Sequence, residues 1–288
     1  GQLARMMHAA SIPLGVRIAL LAEAPDVSAA QVVADVTVGD YTDPQTVYDF
    51  AARCDAITFD HEHVPQPILR GLIERGKVVH PGPDALVHAQ DKVVMRQRLS
   101  SIGVPCPLFE VVDGPDELIA FGARTGWPVI AKTSRGGYDG KGVWKVDGPD
   151  GAAEPFAALR PGVRILAEEF IDFSRELSVL VARRPSGEER VYPVTETVQT
   201  AGICTHTFTP AAQLTDAQRD DLEGLALRIA AELGVTGILA VELMQRRDGS
   251  VVVNELAMRP HNTGHWSIDG AHTSQFENHL RAVADLPL

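Results

Sequence analysis

Short apolar runs alternate with helical patterns over residues 1–90. The apolar runs predict strands at 17–21, 36–38, 56–59 and 77–80, and a 3.6-residue periodicity predicts helices at 2–11, 44–53 and 65–75. Strands separated by helices of this length are typical of βαβ units. This part of the chain is therefore predicted to be an α/β unit with a Rossmann-like parallel sheet.

A second pattern begins at Asp91, a residue type that favours helix N-caps, and an apolar helical face follows it. Beyond it the pattern predicts strands at 109–112, 128–133 and 142–146 and helices at 115–125 and 150–159. The arrangement indicates a small α+β unit.

Strand patterns dominate the remainder of the chain. Segments 165–170, 176–183, 191–198 and 203–209 predict one antiparallel set, followed by a helix at 215–233, strands at 237–246 and 250–255, and a helix at 275–286. We expect three units, at 1–90, 91–163 and 164–288. We also expect a further strand before the first unit and a further segment after the last.

Two acidic residues face each other in the last predicted hairpin. Asp-Gly between two β-rich segments is a strong hairpin signal, and a two-residue turn at Asp248-Gly249 places Glu242 opposite Glu255. Like charges so placed are destabilising. Two carboxylates without His or Cys suit Mg²⁺ that bridges to phosphates, and Asn254 can add a neutral oxygen. The alternatives are a solvated edge pair, or a bulged register in which the pair does not form.

A glycine-rich segment follows the strand predicted at 128–133. Residues 136–142 contain four glycines, which let the backbone approach a ligand and turn N–H groups toward phosphate. The segment matches neither the P-loop nor the dinucleotide fingerprint. Lys132 ends an apolar strand, where an unpaired cation is costly, and Lys92 opens a helix. Together these residues predict phosphate binding; the alternative is a floppy hairpin tip with exposed lysines.

Other polar groups stand at predicted strand and helix ends. Residues 168–171 and Glu176 flank a gap between strands, where carboxylates can accept hydrogen bonds from ribose and backbone groups can read adenine. Residues 259–266 bring cation, amide and imidazole donors into one loop, which suits a small oxyanion. The helix N-terminus at Gln2 favours anions, and Glu62 follows a strand whose carboxyl end faces the ligand crevice. Surface glutamates and ordinary turns are the alternatives.

Composition excludes several classes of function. The 288 residues include 26 basic and 38 acidic ones, giving a net charge of −12, which disfavours general nucleic-acid binding and docking on anionic lipid. The sequence lacks a run of about 18 apolar residues, so we expect no transmembrane helix. Three scattered cysteines without a CxxC pair favour reduced thiols and a cytoplasmic protein.

The lysine-bearing strand, glycine hairpin, carboxylate-rich hinge and paired glutamates resemble an ATP-grasp fold with an N-terminal Rossmann-like domain. Segments 1–6, 136–142, 254–257 and 259–266 resemble more closely the 5-(carboxyamino)imidazole ribonucleotide synthases, the ATP-dependent carboxylase family of purine biosynthesis. The resemblance covers essentially the whole chain, and 259–266 is its most specific part.

That resemblance implies a reaction and a set of roles. ATP would phosphorylate bicarbonate to carboxyphosphate, and the exocyclic amine of 5-aminoimidazole ribonucleotide would take up the carboxyl group, in a homodimer. It implies ATP binding by Lys92, Lys132, Gly137, Tyr138, Asp139, Gly140, Lys141, Gly142, Val143, Glu168, Glu169, Phe170, Ile171, Glu176, Gln199 (where some members carry histidine), Asn254 and Glu255. It implies Mg²⁺ at Glu242 and Glu255, bicarbonate at Arg259, His261 and Asn262, and the ribonucleotide at Gln2, Leu3, Glu62, Tyr138, Asp139, His265 and Trp266.

Two other functions remain compatible with these motifs. One is an ATP-grasp ligase that acts on a carboxylate such as formate, against which the 259–266 loop argues. The other is a non-catalytic nucleotide-binding subunit, against which the retention of both Glu242 and Glu255 argues.

Overall fold

The computed structural model describes residues 1–136, 141–157, 159–200 and 202–288. Its N-terminal part alternates helices and short parallel strands, as the sequence predicts, with β1 paired to β2 and β3 to β4. The elements are α1 (Gln2–Leu14), β1 (Ala19–Ala22), β2 (Asp35–Val38), α2 (Pro44–Ala51), β3 (Ala56–Ile57), α3 (Gln66–Glu74), β4 (Val78–Val79) and α4 (Pro83–Gln90).

Helix α4 has no counterpart in the sequence prediction. It follows a proline- and glycine-rich segment, residues 81–83, that indicates a turn, and Pro83 occupies its first turn. Proline fits that position because the first helical N–H groups have no partner inside the helix.

The second part of the chain builds a four-stranded antiparallel sheet in the order β5-β8-β6-β7. The side chain of Asp91 caps the first helix by accepting hydrogen bonds from the N–H groups of Val93 and Val94, as predicted. The elements are α5 (Lys92–Ser101), β5 (Phe109–Val112), α6 (Pro115–Thr125), β6 (Val129–Thr133), β7 (Val143–Val146), α7 (Glu154–Ala157) and β8 (Ile165–Glu169).

Two predictions for this region are wrong. The helix predicted at 150–159 is a 3₁₀ turn at Pro149–Gly151 followed by the single-turn helix α7, and residue 158 lies outside the described residues. Strand β8 belongs to the small sheet, because it pairs with β5 and β6 and not with the later strands. The division into units at 90 and 163 stays a prediction, and the pairing of β8 favours a second boundary after Glu169.

The third part contains the main sheet, ordered β12-β11-β9-β13-β14, with β10 also paired to β9. The strand predicted at 191–198 is two strands, separated at Pro193, and the last helix ends at Val283 rather than near 286. The elements are β9 (Phe173–Arg183), β10 (Glu189–Val191), β11 (Thr195–Thr200), β12 (Ile203–Phe208), α8 (Asp216–Glu232), β13 (Gly237–Arg246), β14 (Val251–Ala257), α9 (Ser267–Gly270) and α10 (Gln275–Val283).

The main sheet is covered on both faces. Leu239 and Val241 of β13 join a core that includes α8 and Leu69 and Leu72 of the N-terminal part, while Ile238 packs in a smaller cluster on the other face. This double burial explains why β13 is apolar at every position from Gly237 to Val241. It also fixes the N-terminal part against the main sheet. None of the helices in the described ranges is long and apolar enough to cross a bilayer.

Candidate active site

The turn between β13 and β14 is longer than the sequence predicts. The backbone N–H of Arg246 donates to the carbonyl of Ser250 at 2.8 Å, so the turn has three residues rather than two. Gly249 closes it with φ +88°, a left-handed conformation that glycine adopts without strain. The predicted two-residue turn is therefore wrong, and this register, continued unchanged, would pair Glu242 with Asn254.

A β-bulge restores the predicted pairing. Leu243 pairs with Val253, whereas Glu242 pairs with Glu255, so the register changes by one residue and Asn254 is the extra residue. The two glutamates thus face each other across the strands, as predicted. The longer turn and the bulge shift the register in opposite directions and cancel.

The facing glutamates lie in an acidic cluster. Burial, together with the neighbouring Glu255 and Glu176, raises the pKa of Glu242 to about 8, against a hydrogen bond from Asn254 and the charge of Lys132. The side chain of Glu242 is only 22% exposed. Several hard oxygen donors with incomplete neutralisation form a donor set that fits Mg²⁺.

His261 contacts this cluster without neutralising it. Its Nε2 lies 3.3 Å from Oε1 of Glu242, and its Nδ1 lies 2.9 Å from Oγ1 of Thr263. Burial, with the charges of Arg259 and His265, lowers the pKa of His261 to about 3. The imidazole is therefore neutral near pH 7.

A buried cationic cluster lies on the other side of the cleft. Oε1 of Glu168 is 2.5 Å from Nε of Arg96, and its Oε2 is 2.7 Å from Nζ of Lys132. Burial opposes ionisation of Glu168, but Lys132 and Arg96 outweigh it and lower its pKa to about 2. Nζ of Lys132 also lies 3.3 Å from Oδ1 of Asn254, which brings the lysine to the bulge.

Lys92 provides the second cation at this cleft. Its Nζ is 3.1 Å from Oε1 of Glu255, and its backbone N–H donates to the carbonyl of Ser134 at 2.8 Å. The second contact joins the start of α5 to the end of the strand that precedes the glycine-rich segment.

Glu62 and Arg259 form a buried ion pair at the opposite end. Nε of Arg259 is 2.9 Å from Oε2 of Glu62, and the side chains are 12% and 6% exposed. Nε2 of Gln90 donates to the carbonyls of Glu62 and Val64, which holds the loop that carries Glu62. The pair therefore connects the N-terminal part to the 259–266 loop.

Most of these groups line one cavity of about 540 Å³. The cavity brings together fourteen of the residues that the sequence analysis singled out, namely Leu3, Glu62, Lys92, Lys132, Lys141, Val143, Glu176, Gln199, Glu242, Asn254, Glu255, Arg259, His261 and Asn262. Four others, Gly137, Tyr138, Asp139 and Gly140, lie outside the described residues. Eight described ones do not line it, namely Gln2, Gly142, Glu168, Glu169, Phe170, Ile171, His265 and Trp266.

The carboxylates at the end of β8 have protein partners. Glu168 is buried between its two cations, and Glu169 accepts from Arg246 at 2.7 Å and from the N–H of Leu108 at 3.0 Å. Phe170 is 41% exposed and Ile171 is buried. The side chain of Glu168 is buried in the described structure, so its carboxylate is not accessible for the predicted contact with ribose.

The end of the 259–266 loop packs into the protein. Nδ1 of His265 is 3.1 Å from the carbonyl of His261. The Trp266 ring meets Tyr192 edge to face, with 6.1 Å between ring centroids. The indole N–H of Trp266 is buried and has no hydrogen-bond partner among the described residues. Here Trp266 is a packing residue of the core.

The sequence analysis missed Arg96 and Gln90. Arg96 lies on α5 with its side chain fully buried between Met95 and Leu99, which are also buried. A charged residue on the buried face of a predicted helix was the available signal, because such a residue needs a partner. Gln90 gave no comparable signal, since it is uncharged and its partners are two backbone carbonyls and the side-chain amide of Gln66.

Family models match both parts of this architecture. A ribonucleotide synthetase preATP-grasp domain model matches residues 1–90, and an ATP-grasp domain model matches residues 97–276. Fold and cleft thus define an ATP-grasp ligase with a preATP-grasp domain.

Individual relatives narrow the assignment. N5-carboxyaminoimidazole ribonucleotide synthase of Mycobacterium tuberculosis is 51% identical, with 100% of this chain and 67% of the relative covered; that of Corynebacterium ammoniagenes is 50% identical, with 100% and 71% covered. The crystal structure of the synthetase from Thermus thermophilus matches at a TM-score of 0.90 and 37% identity, with 100% of this chain and 77% of that chain covered. The Aspergillus clavatus synthase in complex with ADP and 5-aminoimidazole ribonucleotide matches at 0.92 and 30%, with 100% and 75% covered. The chain belongs to the N5-carboxyaminoimidazole ribonucleotide synthase family.

Proposed function

We propose that the cleft carboxylates 5-aminoimidazole ribonucleotide with ATP, Mg²⁺ and bicarbonate, giving 5-(carboxyamino)imidazole ribonucleotide in purine biosynthesis. The observation that carries the proposal is the division of charge within one cavity. Lys92 and Lys132 come from the small-sheet part of the chain and the facing glutamates from the main sheet, and residues of the 259–266 loop line the same cavity. Membership of the synthase family supports the same reaction.

Lys92 and Lys132 are proposed to bind the ATP phosphates. Phosphoryl transfer depends mainly on positioning and on neutralising phosphate charge, which two adjacent ammonium groups can do. Glu242 and Glu255 would hold Mg²⁺, which would bridge phosphate oxygens and offset their charge when bound. Glu176 and Asn254, which line the same cavity, would complete the polar surroundings of the nucleotide.

Arg259, Asn262 and His261 are proposed to orient bicarbonate. All three line the cavity, and His261 contacts Glu242 there. The guanidinium of Arg259 is held by Glu62, so it meets an anion with little loss of side-chain freedom. A neutral His261 can donate one hydrogen bond without adding charge. Since carboxyphosphate hydrolyses readily, an enclosed site has a chemical purpose.

The ribonucleotide is proposed to bind beside the N-terminal part. Leu3 and Glu62 line the cavity there, and α1 begins at Gln2 with unpaired backbone N–H groups that favour a phosphate. We extend the proposal to a cytoplasmic homodimer, because scattered thiols fit a reducing compartment and the family resemblance implies two subunits.

The test is incorporation of labelled bicarbonate into the ribonucleotide. Product labelling and ADP release that both require ATP, Mg²⁺ and 5-aminoimidazole ribonucleotide are the expected result. The same assay with labelled formate checks the alternative ligase. ATP binding without ADP release under any of these conditions would indicate a non-catalytic subunit and contradict the proposal.

A further inference from the structure

Arg96 is the largest fully buried side chain of the chain as described, with 0% of its surface exposed. Its Nε lies 2.5 Å from Glu168, and its Nη2 donates to the backbone carbonyl of Asn254 at 2.7 Å. A buried charge is costly unless its contacts compensate for the loss of hydration, so the two contacts of Arg96, one to each sheet, point to a function for this residue.

The first contact determines the charge that Lys132 can offer to a ligand. Glu168 touches both cations, so the cluster of Arg96, Glu168 and Lys132 carries a net charge of one positive unit. Without Arg96, the carboxylate of Glu168 would cancel the ammonium of Lys132. The cavity would then lose the net positive charge that Lys132 contributes.

The second contact fixes the bulge that aligns the acidic side. The carbonyl that accepts from Arg96 belongs to Asn254, the extra residue whose insertion brings Glu255 opposite Glu242. One guanidinium thus holds both a carboxylate of the small sheet and a bulge of the main sheet. A lysine could neutralise Glu168 but is poorly suited to both contacts, because its donors share one nitrogen, whereas the guanidinium carries Nε and Nη2 at separate positions of a planar fork.

We infer that Arg96 is a positioning residue for nucleotide and metal binding: it offsets the charge of Glu168, so that the charge of Lys132 stays available to phosphate, and it holds the Asn254 bulge that pairs Glu242 with Glu255. This inference rests on the proposed function for the identity of the ligands. It adds a residue outside the cavity to the machinery of the cleft.

The test compares Arg96→Met, Arg96→Lys and the double variant Arg96→Met/Glu168→Gln in the full chain. Calorimetric titration with ATP and Mg²⁺, without bicarbonate or ribonucleotide, measures binding alone. Arg96→Met should weaken ATP binding at least about tenfold, because one nearby net charge is lost. The double variant should bind ATP more tightly than Arg96→Met, because Lys132 is again uncancelled. Arg96→Lys should retain most of the ATP affinity. It should need a higher Mg²⁺ concentration for activity, and its kcat should be lower than that of the wild type.

Arg175→Met is the matched control. Arg175 also bridges elements of the main sheet, through Gln245 at 2.6 Å, Glu196 at 3.2 Å and the carbonyl of Ala212 at 2.6 Å, but it does not line the cavity. Arg175→Met should lower Tm and leave ATP affinity unchanged.

The inference is wrong if Arg96→Met behaves like this control, or if the double variant binds ATP no better than Arg96→Met. If Arg96→Met does not fold, the Arg96→Lys variant decides: an unchanged Mg²⁺ requirement and an unchanged kcat would also show that the inference is wrong.

The two proposals fail separately. A wild-type chain that binds ATP with Mg²⁺ but does not carboxylate the ribonucleotide would contradict the proposed reaction, while the comparison of Arg96 variants by ATP titration would still decide the role of Arg96.

Discussion

Two glutamates, Glu242 in the cleft and Glu168 buried behind Lys132, have opposite electrostatic surroundings. Glu168 lies between Arg96 and Lys132, and its pKa is lowered to about 2. Glu242 lies beside Glu255 and Glu176, and its pKa is raised to about 8, chiefly by burial. The first carboxylate is neutralised by the protein, whereas the second is not.

This difference separates a structural half of the cleft from a ligand-dependent half. The cations around Glu168 make that side complete within the folded chain. On the acidic side Lys92 pairs with Glu255, but Glu242 has no lysine or arginine within ion-pair distance among the described residues. A divalent cation with triphosphate would supply its balancing charge. Substitutions of the two glutamates should therefore affect different properties of the protein.

The largest expected effect is on turnover. Glu242→Gln and Glu255→Gln should each lower kcat at least about a hundredfold, comparable to removing one preorganised electrostatic group from an active site. Each keeps the shape of the side chain and removes the charge that would hold Mg²⁺. Steady-state ADP release at saturating ATP measures the effect.

Stability provides the control for this prediction. Glu242→Gln should leave the free energy of unfolding at pH 7 unchanged or higher, because it removes a carboxylate with acidic neighbours. If turnover survives in both glutamine variants, the assignment of the metal site is wrong. If turnover and stability fall together, the acidic cluster is part of the fold rather than of the reaction.

Glu168→Gln should have the opposite profile. It leaves Arg96 and Lys132 buried without their shared anion, so we expect a loss of about 3 kcal/mol in the free energy of unfolding. Urea denaturation at pH 7 measures it, with Arg183→Met, which removes the more exposed pair to Glu189, as a control of smaller effect. A loss below that of the control would show that the cationic half does not depend on Glu168.

The pH dependence of stability should separate the two glutamates further. The folded pKa of Glu168 is about 2, below its ordinary value of 4.5, so the folded state favours the ionised form. Its contribution is complete above pH 4.5 and disappears as the pH falls from 4.5 to about 2. The stability difference between wild type and Glu168→Gln should therefore shrink over this window. A difference that stays constant from pH 6 to pH 3 would contradict the assignment.

The sequence predicts the individual helices and strands of this protein better than it predicts which strands pair with each other. Helix α6 and strand β13 have the predicted bounds, because apolar periodicity is a property of one segment. The membership of β8 in the small sheet depends on distant strands, and no local pattern encodes it. The prediction that Glu242 faces Glu255 is confirmed although it assumed a turn that is one residue too short, because the bulge at Asn254 compensates for the extra turn residue. That bulge depends on non-local contacts, including a hydrogen bond from the helix α5.

Gly249→Ala gives the smallest expected effect and tests whether turn and bulge act independently. Gly249 has φ +88°, and no atom lies within 4 Å of an added Cβ, so the cost is conformational only, about 1 kcal/mol. Turnover should not change, because the Asn254 bulge lies between the turn and the facing glutamates and is held from α5. Urea denaturation and ADP release measure the two properties. A fall in kcat with only this small loss of stability would show that the turn itself sets the register of Glu242 and Glu255, and that Arg96 does not hold the bulge alone.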